Sequence, residues 1–322
     1  MKDLIIVTGA AGFIGRNIVA MLNERGHDNL LLVDFLGTDE KWQNLVGLRY
    51  EDVLPPPRLL DLILSGKLSG VRAIIHEGAC SATTEKNADY LLENNYRYTR
   101  QLCEWALAND ARFVYASSAA TYGDGSLGYS DADSVTEQLR PLNMYGYSKH
   151  MFDLWALRNG LLDKIAGLKY FNVYGPYEDH KGEMRSLVHK AYHQIKTRGY
   201  IELFKSDRPE YADGEQRRDF VYVRDAAKVT LHFALDSQAG GLFNCGAGQA
   251  RTWLDLANAL FAAMGRQPDI RFIDMPAILK GKYQYFTQAD AKKLQTQGGY
   301  TTPFASVEEG VADYVKTYLA RG

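Results

Sequence analysis

The stretch Asp3–Gly15, DLIIVTGAAGFIG, opens with a short apolar run and ends in three glycines, each three residues after the last. Apolar residues then recur at helical spacing as far as Leu22, and a second apolar run over residues 30–33 leads into Asp34. Closely spaced glycines let backbone N–H groups approach a pyrophosphate at the start of a helix, and an acidic residue accepts hydrogen bonds from ribose hydroxyls. The stretch therefore predicts a strand, turn, helix and strand that together bind a dinucleotide.

Short apolar runs and helical stretches continue to alternate through the first half of the chain. Residues 73–76 and 112–116 predict two strands, with a long helix over residues 84–109 between them. Pro141 marks the start of a further helix, and residues 168–176 predict a strand that runs into a turn. Such alternation is typical of a parallel sheet with helices on both faces.

The second half has longer loops, although strand-like runs at residues 220–223 and 242–245 suggest that the chain returns to the sheet. We therefore predict an α/β fold, a Rossmann-type doubly wound parallel sheet with a smaller C-terminal α/β substrate-binding domain. The dinucleotide-binding domain is predicted to comprise residues 1–172, about 217–247 and about 284–294, and the substrate-binding domain residues 173–216, 248–283 and 295–322.

The composition narrows the class of protein further. The formal net charge is −2 without a long basic block, so no nucleic-acid partner is expected. Cys80, Cys103 and Cys245 are far apart and lack metal-like spacing, which favours reduced thiols, no metal site and a cytoplasmic protein. The first residues have neither the pattern of a signal peptide nor the length of a membrane span, so no membrane association is expected.

Tyr145 and Lys149 are four residues apart on the helix predicted after Pro141, so their side chains point to the same side. A phenolate can take a proton from an alcohol that is being oxidised, and a neighbouring ammonium stabilises the phenolate. The pKa of a free tyrosine is ~10 and must fall by about 3, roughly 4 kcal/mol, before the phenolate is available at neutral pH. We expect Lys149 and an oxidised nicotinamide ring to supply this between them.

The glycine spacing and the Tyr-x-x-x-Lys pair together resemble the extended short-chain dehydrogenase/reductases. In that class a hydroxyl at the end of the fourth strand holds the reacting oxygen against the tyrosine. Since Tyr122-Gly123 follows at the usual distance, the resemblance implies this role for Ser118 rather than Ser117; the alternative is a hydroxyl that bonds only backbone. Dehydratases of this fold usually carry an Asp-Glu pair where this chain has Ala120 and Thr121, which disfavours elimination of water.

Longer stretches resemble the ADP-glyceromanno-heptose 6-epimerase family, in order along essentially the whole chain. These stretches are residues 77–85, 116–123, 171–176, 180–182, 218–223 and 286–290. The resemblance implies interconversion of the two C6 epimers of ADP-activated heptose, a precursor of the lipopolysaccharide inner core. Two alternatives stay open: another nucleotide-sugar enzyme of this fold, such as a UDP-hexose 4-epimerase or a reductase, and a catalytically silent dinucleotide-binding module.

Inversion of an unactivated secondary alcohol gives a second proton carrier a purpose. Its C–H is not acidic, so hydride must leave to a nicotinamide, giving a ketone, and return to the opposite face. If the ketone end rotates about the neighbouring carbon–carbon bond, its oxygen points to a different part of the pocket. The resemblance assigns that position to Lys181, which would otherwise be read as a solvated lysine in a glycine-flanked loop.

The cofactor type rests on two residues with opposite implications. Asp34 alone favours NAD, because a carboxylate repels a 2′-phosphate. The resemblance implies NADP, with Lys41 offered to the phosphate, and we therefore expect NADP, with NAD less favoured. The chain departs from the family pattern at four positions, Phe35, Pro56, Glu183 and Lys190.

The resemblance also carries site roles over to individual residues. The expected catalytic residues are Tyr145, Lys181, Ser118 and Lys149. The expected cofactor contacts are Gly9, Gly12, Phe13, Ile14, Gly15, Asp34, Phe35, Lys41, Glu77, Gly78, Ala79, Cys80, Ser81, Asn94, Tyr145, Lys149, Val173 and Lys181. The expected substrate contacts are Ser81, Asn172, Glu183, Lys190, Phe204, Lys205, Ser206, Asp207, Arg218 and Tyr283. For Arg218, a guanidinium fork on the ADP diphosphate is weighed against a surface ion pair with Asp219. A homo-oligomer, pentameric by resemblance, is expected.

Overall fold

The structure of the chain, a computed structural model, describes residues 3–276 and 283–321. Part of the predicted substrate-binding segment 248–283, residues 277–282, therefore lies outside the described residues. The strands are β1 (Leu4–Thr8), β2 (Leu30–Val33), β3 (Asp52–Leu54), β4 (Val71–His76), β5 (Arg112–Ser118), β6 (Ala166–Tyr170), β7 (Asn172–Tyr174), β8 (Ile201–Phe204), β9 (Arg217–Tyr222), β10 (Gly241–Cys245), β11 (Ala250–Thr252) and β12 (Ile270–Ile273).

Helices connect most of these strands. They are α1 (Phe13–Glu24), α2 (Pro56–Leu64), α3 (Ala88–Leu91), α4 (Tyr98–Ala108), α5 (Asp133–Thr136), α6 (Met144–Arg158), α7 (Leu187–Arg198), α8 (Val223–Leu231), α9 (Trp253–Ala263), α10 (Lys292–Thr296) and α11 (Val307–Tyr314). In the described part of the chain, no helix is both long enough and apolar enough to span a lipid bilayer.

The central sheet has seven parallel strands in the order β10–β6–β5–β4–β1–β2–β3. Its strand order reverses between β1 and β4, which is where ligands bind in doubly wound sheets. The Rossmann-type parallel sheet predicted from the sequence is therefore confirmed. Two smaller sheets lie on the chain's second half: β9 pairs with β7 and β11, and β8 pairs with β12.

The first strand, turn and helix fold as the glycine pattern predicts. Ile5, Ile6 and Val7 are fully buried, because both faces of a central parallel strand are covered. Helix α1 follows the turn directly and ends just before Gly26, whose φ of +81° takes the chain out of the helix. Its apolar side packs against α8.

The helix predicted over residues 84–109 is shorter at its start. Asn87 accepts a hydrogen bond from the backbone N–H of Tyr90 at 3.0 Å and so caps a helix that begins at Ala88. The residues before Asn87 form a loop. From Ala88 the helix continues through a wider turn at residues 92–97 to the end of α4 at Ala108.

Two predictions about strands in the second half are wrong. The stretch over residues 168–176 is not one strand, because Phe171 bonds to Cys245 of β10 and the N–H of Val173 turns back to the carbonyl of Phe171. The chain therefore leaves the central sheet after β6, and β7 joins a smaller sheet. The run at residues 220–223 also lies in that smaller sheet, as β9, so only β10 returns to the central sheet.

Candidate active site

A cavity of about 810 Å³ opens where the C-terminal ends of β1, β4 and β5 face the segment that follows β7. Most of the expected cofactor residues line it: Gly9, Gly12, Phe13, Ile14, Gly15, Asp34, Lys41, Glu77, Gly78, Ala79, Cys80, Ser81, Tyr145, Lys149, Val173 and Lys181. Ser118 and the expected substrate contact Asn172 line the same cavity. The structure thus brings residues from widely separated parts of the chain to one place.

Glycine is required at two positions of the turn between β1 and α1. Gly9 has a φ of +66°, and a Cβ atom there would lie 2.7 Å from the backbone nitrogen of Gly78. A Cβ atom on Gly15 would lie 2.1 Å from the carbonyl oxygen of Gly9. The bare turn leaves the N-terminus of α1 open to the cavity, which is the arrangement that binds a pyrophosphate. These residues fit a dinucleotide cofactor.

Asp34 braces the same turn from the end of β2. Its Oδ2 accepts a hydrogen bond from the backbone N–H of Ala11 at 2.9 Å, and its Oδ1 lies 2.6 Å from Nζ of Lys41. The Lys41 ammonium also donates to the carbonyl of Phe35 at 3.1 Å. A positive charge therefore lies beside the carboxylate that the sequence places at the ribose, and it offsets the repulsion between that carboxylate and a 2′-phosphate.

Two expected cofactor residues are not among the residues that line the cavity in the described structure. The side chain of Phe35 is 58% exposed, and Asn94 donates to the neighbouring Asn95 at 3.2 Å. Asn95 is the residue that ties the turn after β4 to α6. Its side chain accepts from the N–H of Cys80 at 2.8 Å and donates to the hydroxyl of Ser148 at 3.0 Å.

Three expected catalytic side chains meet where β5 ends and α6 begins. Asn143 accepts a backbone N–H from the first turn of α6 and starts the helix there. Nζ of Lys149 donates to the carbonyl of Ala116 in β5 at 2.8 Å, and Ser118 hydrogen-bonds to Tyr145. The four-residue spacing of the tyrosine and the lysine therefore places both beside the end of β5.

Burial raises the pKa of Tyr145; the hydrogen bond with Ser118 lowers it, and the charges of Cys80 and Glu77 raise it further. Burial lowers the pKa of Lys149 to about 8. A positive charge that enters the cavity, such as an oxidised nicotinamide ring, would favour the phenolate of Tyr145.

Glu77 directly follows β4 and carries a buried carboxyl group. Burial raises its pKa to about 7, opposed by the hydroxyl of Tyr170 and the charge of Lys149. The Tyr170 hydroxyl donates to its Oε1 at 2.9 Å. The preceding residue, His76, has its pKa lowered by burial to about 3 and is hydrogen-bonded to two buried threonine hydroxyls. At neutral pH His76 is therefore uncharged, and Glu77 is the titrating group of this pair.

Lys181 reaches the cavity from the turn between β7 and α7. Its Nζ lies 3.9 Å from a carboxylate oxygen of Glu178 and 4.8 Å from the ring centroid of Phe13. Burial lowers the pKa of Lys181, and the charge of Glu178 raises it. A lowered pKa makes loss and return of a proton easier near neutrality. One cavity therefore contains two candidate proton carriers, Tyr145 and Lys181.

His180 ties the Lys181 turn to the glycine turn. Its Nδ1 lies 3.2 Å from Nδ2 of Asn44, and the same amide donates to the carbonyl of Ala11 at 2.9 Å. Sequence reasoning gave Asn44 no role. The link explains how a turn far away in the sequence is held over the N-terminus of α1.

Two departures from the family pattern, Glu183 and Lys190, contact each other. Nζ of Lys190 lies 3.2 Å from the Glu183 carboxylate and donates to its carbonyl oxygen at 2.5 Å. The Glu183 side chain is 96% exposed, and neither residue is among the cavity-lining residues that the structure describes. The two residues that depart from the family pattern, Glu183 and Lys190, therefore form an ion pair with each other.

The expected contacts around the end of β8 also lie away from the described cavity lining. Phe204 ends β8, and Lys205 forms an ion pair with Asp274 at 3.0 Å. Ser206 donates its hydroxyl to the carbonyl of Arg208 at 2.8 Å, and Asp207 accepts from the hydroxyl of Tyr285. None of these four residues is among the described residues that line the cavity.

Arg218 is 5% exposed, so the alternative of a surface ion pair with Asp219 is wrong. Its guanidinium donates to the carbonyl oxygens of Arg217 and Gln284 and lies 5.0 Å from the ring centroid of Tyr283. Asp219 instead accepts backbone N–H groups from three residues: Ala247, Gly248 and Ala289. Arg218 and Tyr283 therefore form one stacked pair beside Trp253, which does line the cavity.

A buried polar network below the cavity was missed by sequence reasoning. Asp153, one turn beyond Lys149 on α6, accepts hydrogen bonds from Tyr115 and Ser117, each at 2.8 Å, and from Nζ of Lys169 at 2.7 Å. Lys169 also donates to the hydroxyl of Thr121 at 2.8 Å, and Thr121 donates to the carbonyl of Ser118 at 2.8 Å. The only sign of this network in the sequence was Lys169, a lysine inside an apolar strand pattern.

Comparison with known proteins assigns the chain to a family. A model of the NAD dependent epimerase/dehydratase family matches residues 5–246. This is the class that a doubly wound sheet, a glycine turn and a Tyr-x-x-x-Lys pair define together.

An ADP-L-glycero-D-manno-heptose-6-epimerase from Nitratidesulfovibrio vulgaris is 54% identical over 318 residues, 98% of each chain. The crystal structure of the enzyme of the same name from Helicobacter pylori has a TM-score of 0.82 and is 28% identical, over 98% of this chain and 96% of that one. A UDP-glucuronic acid 4-epimerase from Bacillus cereus in complex with NAD has a TM-score of 0.75 at 25% identity, over 98% and 99%. The chain therefore belongs to the NAD dependent epimerase/dehydratase family and, within it, to the ADP-L-glycero-D-manno-heptose-6-epimerases.

Proposed function

We propose that the chain interconverts the two C6 epimers of ADP-activated glycero-manno-heptose and so supplies a precursor of the lipopolysaccharide inner core. One observation carries the proposal: Tyr145 on α6 and Lys181 on the turn after β7 line one cavity together with the glycine turn. If the ketone end rotates about the neighbouring carbon–carbon bond, its oxygen occupies two positions, and this pair of proton carriers can serve both. The relative of that name at 54% identity supports the choice of substrate.

The chain's own residues would move the protons. A bound nicotinamide cofactor would supply reversible hydride transfer at C6. Tyr145, held by Ser118, takes the proton from the C6 hydroxyl in one orientation of the sugar end, and Lys181 gives a proton to the oxygen in the other. Each carrier reverses its role when the reaction runs backwards. Ser118 positions the reacting oxygen, and Lys149 orients the cofactor ribose.

The cofactor is proposed to be NADP, bound across the glycine turn. The support is the ion pair of Lys41 with Asp34, which offers an ammonium where the 2′-phosphate of NADP would lie. The opposite support comes from the relative in complex with NAD. Because the reaction has no net redox change, the cofactor is expected to stay bound and to be recycled.

We also infer a division of labour along the chain, in which residues 173–216, 248–283 and 295–322 form the substrate-binding part. The three cysteines are free thiols, in support of a reducing, cytoplasmic setting. The family resemblance favours a homo-oligomer of five chains, and sedimentation of the purified protein measures this number.

The decisive experiment offers purified protein ADP-glycero-manno-heptose and, separately, UDP-glucose, and follows epimer formation by proton NMR. We expect turnover of the ADP-heptose alone, without added cofactor. Nucleotide released on denaturation and identified by mass spectrometry reports whether NADP or NAD was bound. The Tyr145→Phe protein is the matched control, because it keeps the shape of the cavity and loses only the hydroxyl of the tyrosine. Turnover of UDP-glucose instead would show a UDP-hexose 4-epimerase, and full activity of cofactor-stripped protein would refute the hydride route.

A further inference from the structure

A second cavity, of about 670 Å³, lies further along α1 and shares none of its described lining with the active-site cavity. We call it the Arg16 cavity. Its walls are the second and third turns of α1, residues 47–49, Pro176 and Tyr177, and the C-terminal segment around Tyr318. No residue assigned to the proposed reaction lines it.

Arg16 lines this cavity and has no ion-pair partner among the residues that the structure describes. Its guanidinium carbon lies 3.5 Å from the ring centroid of Tyr177, so the planar group is stacked on the ring. Its Nε is buried without a hydrogen-bond partner, but the residue as a whole is only partly buried. Among residues 3–276 and 283–321 no carboxylate forms an ion pair with Arg16, although the charge of Glu24 acts on it. A guanidinium has five N–H donors, and the four on its two terminal nitrogens are the ones that a ligand in the cavity can reach.

The other charges around the Arg16 cavity already have partners. Arg224 lies 3.0 Å from the carboxylate of Glu24, and Arg49 lies 2.9 Å from that of Asp28. The carboxylate of Asp313 accepts from the hydroxyl of Tyr222. Neither lining carboxylate is therefore free to pair with Arg16.

The backbone under the stacked ring is also unusual. Tyr177 has a φ of +74°, which a bulky residue rarely adopts and which persists only where the surroundings hold it. Asn17 donates to the carbonyl of Pro176 at 3.1 Å, and the ring of Tyr177 lies 4.7 Å from that of Tyr318 in an edge-on arrangement. The stack that orients Arg16 is therefore braced from α1 and from the C-terminal segment.

We propose that the Arg16 cavity binds a small phosphate-bearing molecule, with the phosphate on the guanidinium of Arg16. A guanidinium held flat by an aromatic ring offers a fork of N–H donors that matches a phosphate. Arg224 lines the same cavity and, although it is paired with Glu24, places a second guanidinium at the wall beside Arg16. A phosphate dianion has two negative charges to pair with these two cations, whereas a carboxylate has one charge and would need only one of them.

The test uses calorimetry on the full-length protein saturated with NADP and ADP, so that the active-site cavity is filled. Inorganic phosphate and glucose 6-phosphate are the two probes, and they separate free phosphate from a phosphate ester. We expect one site per chain for at least one probe in the wild type. Arg16→Met is expected to weaken that binding at least tenfold, and Arg16→Lys, which keeps the charge but loses the fork, to weaken it less.

Arg158→Met is the matched control, since Arg158, on α6, pairs with the exposed Glu137 and is not among the described residues that line either cavity. It should bind the probe as the wild type does, and thermal melting should show that all variants are folded. Epimerase activity measured in parallel keeps this test separate from the proposed function. Absence of binding by both probes, or equal binding by Arg16→Met, overturns the proposal. A change of oligomeric state in Arg16→Met without probe binding overturns it too.

Discussion

Asp153 and Lys169 form an ion pair of 2.7 Å in which neither side chain has more than 1% of its surface exposed. Asp153 lies one helical turn beyond Lys149, and Lys169 lies in the strand next to the one that carries Ser118. The pair therefore joins α6 to β6, and the hydrogen bonds of Tyr115 and Ser117 to Asp153 join the same helix to β5. The geometry that Tyr145 and Ser118 need depends on a charge pair that never reaches the cavity.

Breaking this pair is expected to be costly. Lys169→Met leaves the Asp153 carboxylate buried with only two neutral donors, and we expect the free energy of unfolding to fall by about 3–5 kcal/mol. Urea unfolding measures this. Arg158→Met, at an exposed pair, should change it by less than about 1 kcal/mol. Equal stability of Lys169→Met and wild type would show that the pair contributes nothing net.

Tyr145→Phe removes the phenol hydroxyl and keeps the aromatic ring. We expect kcat to fall by at least ~10²-fold, the usual contribution of a general acid–base group, while cofactor affinity is unchanged. Steady-state rates and equilibrium dialysis with NADP measure the two quantities. Near-normal turnover would remove Tyr145 from the proposed mechanism. Lys149→Met, in contrast, should also weaken cofactor binding.

Lys181 separates epimerisation from simple redox turnover. An ADP-sugar whose terminal carbon is already an aldehyde can be oxidised in one molecule while another is reduced, and this dismutation needs only one proton carrier. Lys181→Met should lose epimerisation and keep part of the dismutation, whereas the double variant with Tyr145→Phe should do neither. Product analysis by NMR distinguishes these results. A wild-type epimerisation rate in Lys181→Met would make Lys181 a bystander.

The choice of cofactor should respond to Lys41. Lys41→Met removes the ammonium beside Asp34 and leaves the carboxylate unopposed, so we expect NADP affinity to fall at least tenfold with little change for NAD. Fluorescence titration of cofactor-stripped protein gives both dissociation constants. Lys205→Met, which removes a lysine from a separate surface pair, is the matched control. An equal loss for both cofactors would mean that Lys41 supports the turn rather than a 2′-phosphate.

Glu77 gives the cofactor-free protein a distinct pH dependence. Its pKa is raised by burial from the ordinary 4.5 to about 7, so between these values the folded protein binds more protons than the unfolded chain. Its contribution to stability is therefore complete below pH 4.5 and is lost as the pH rises to about 7. In Glu77→Gln this part of the stability profile should be flatter, as urea unfolding at a series of pH values will measure. Parallel profiles for the two proteins would contradict the raised pKa.

The nucleotide half could be predicted because its signals are local. The glycines of Asp3–Gly15 are dictated by backbone clearance, and the spacing of Tyr145 and Lys149 by the helical repeat, so each can be read from neighbouring residues. Other features depend on contacts between distant segments. Nothing near Asn44 shows that its amide meets His180, and nothing near Glu183 shows that Lys190 is its partner.

The strand predictions failed for a similar reason. Residues 168–176 are uniformly strand-like, but the chain turns where the N–H of Val173 bonds back to the carbonyl of Phe171. The N–H of Phe171 itself still bonds to Cys245, which lies more than seventy residues later in the chain. The position of Lys149 is likewise set by another element, because its ammonium donates to the carbonyl of Ala116 in β5. In both cases the bonding partner lies on another element.

The late return of β10 to the central sheet has a consequence for biosynthesis. β6 remains an edge strand until Gly241–Cys245 has been translated and has left the ribosome, because β10 is the strand that covers it. The nascent chain therefore exposes a hydrophobic sheet edge while seventy further residues are made, which is when chaperones bind most strongly. Ribosome-bound chains arrested before residue 241 should be more sensitive to protease than chains arrested well beyond residue 245.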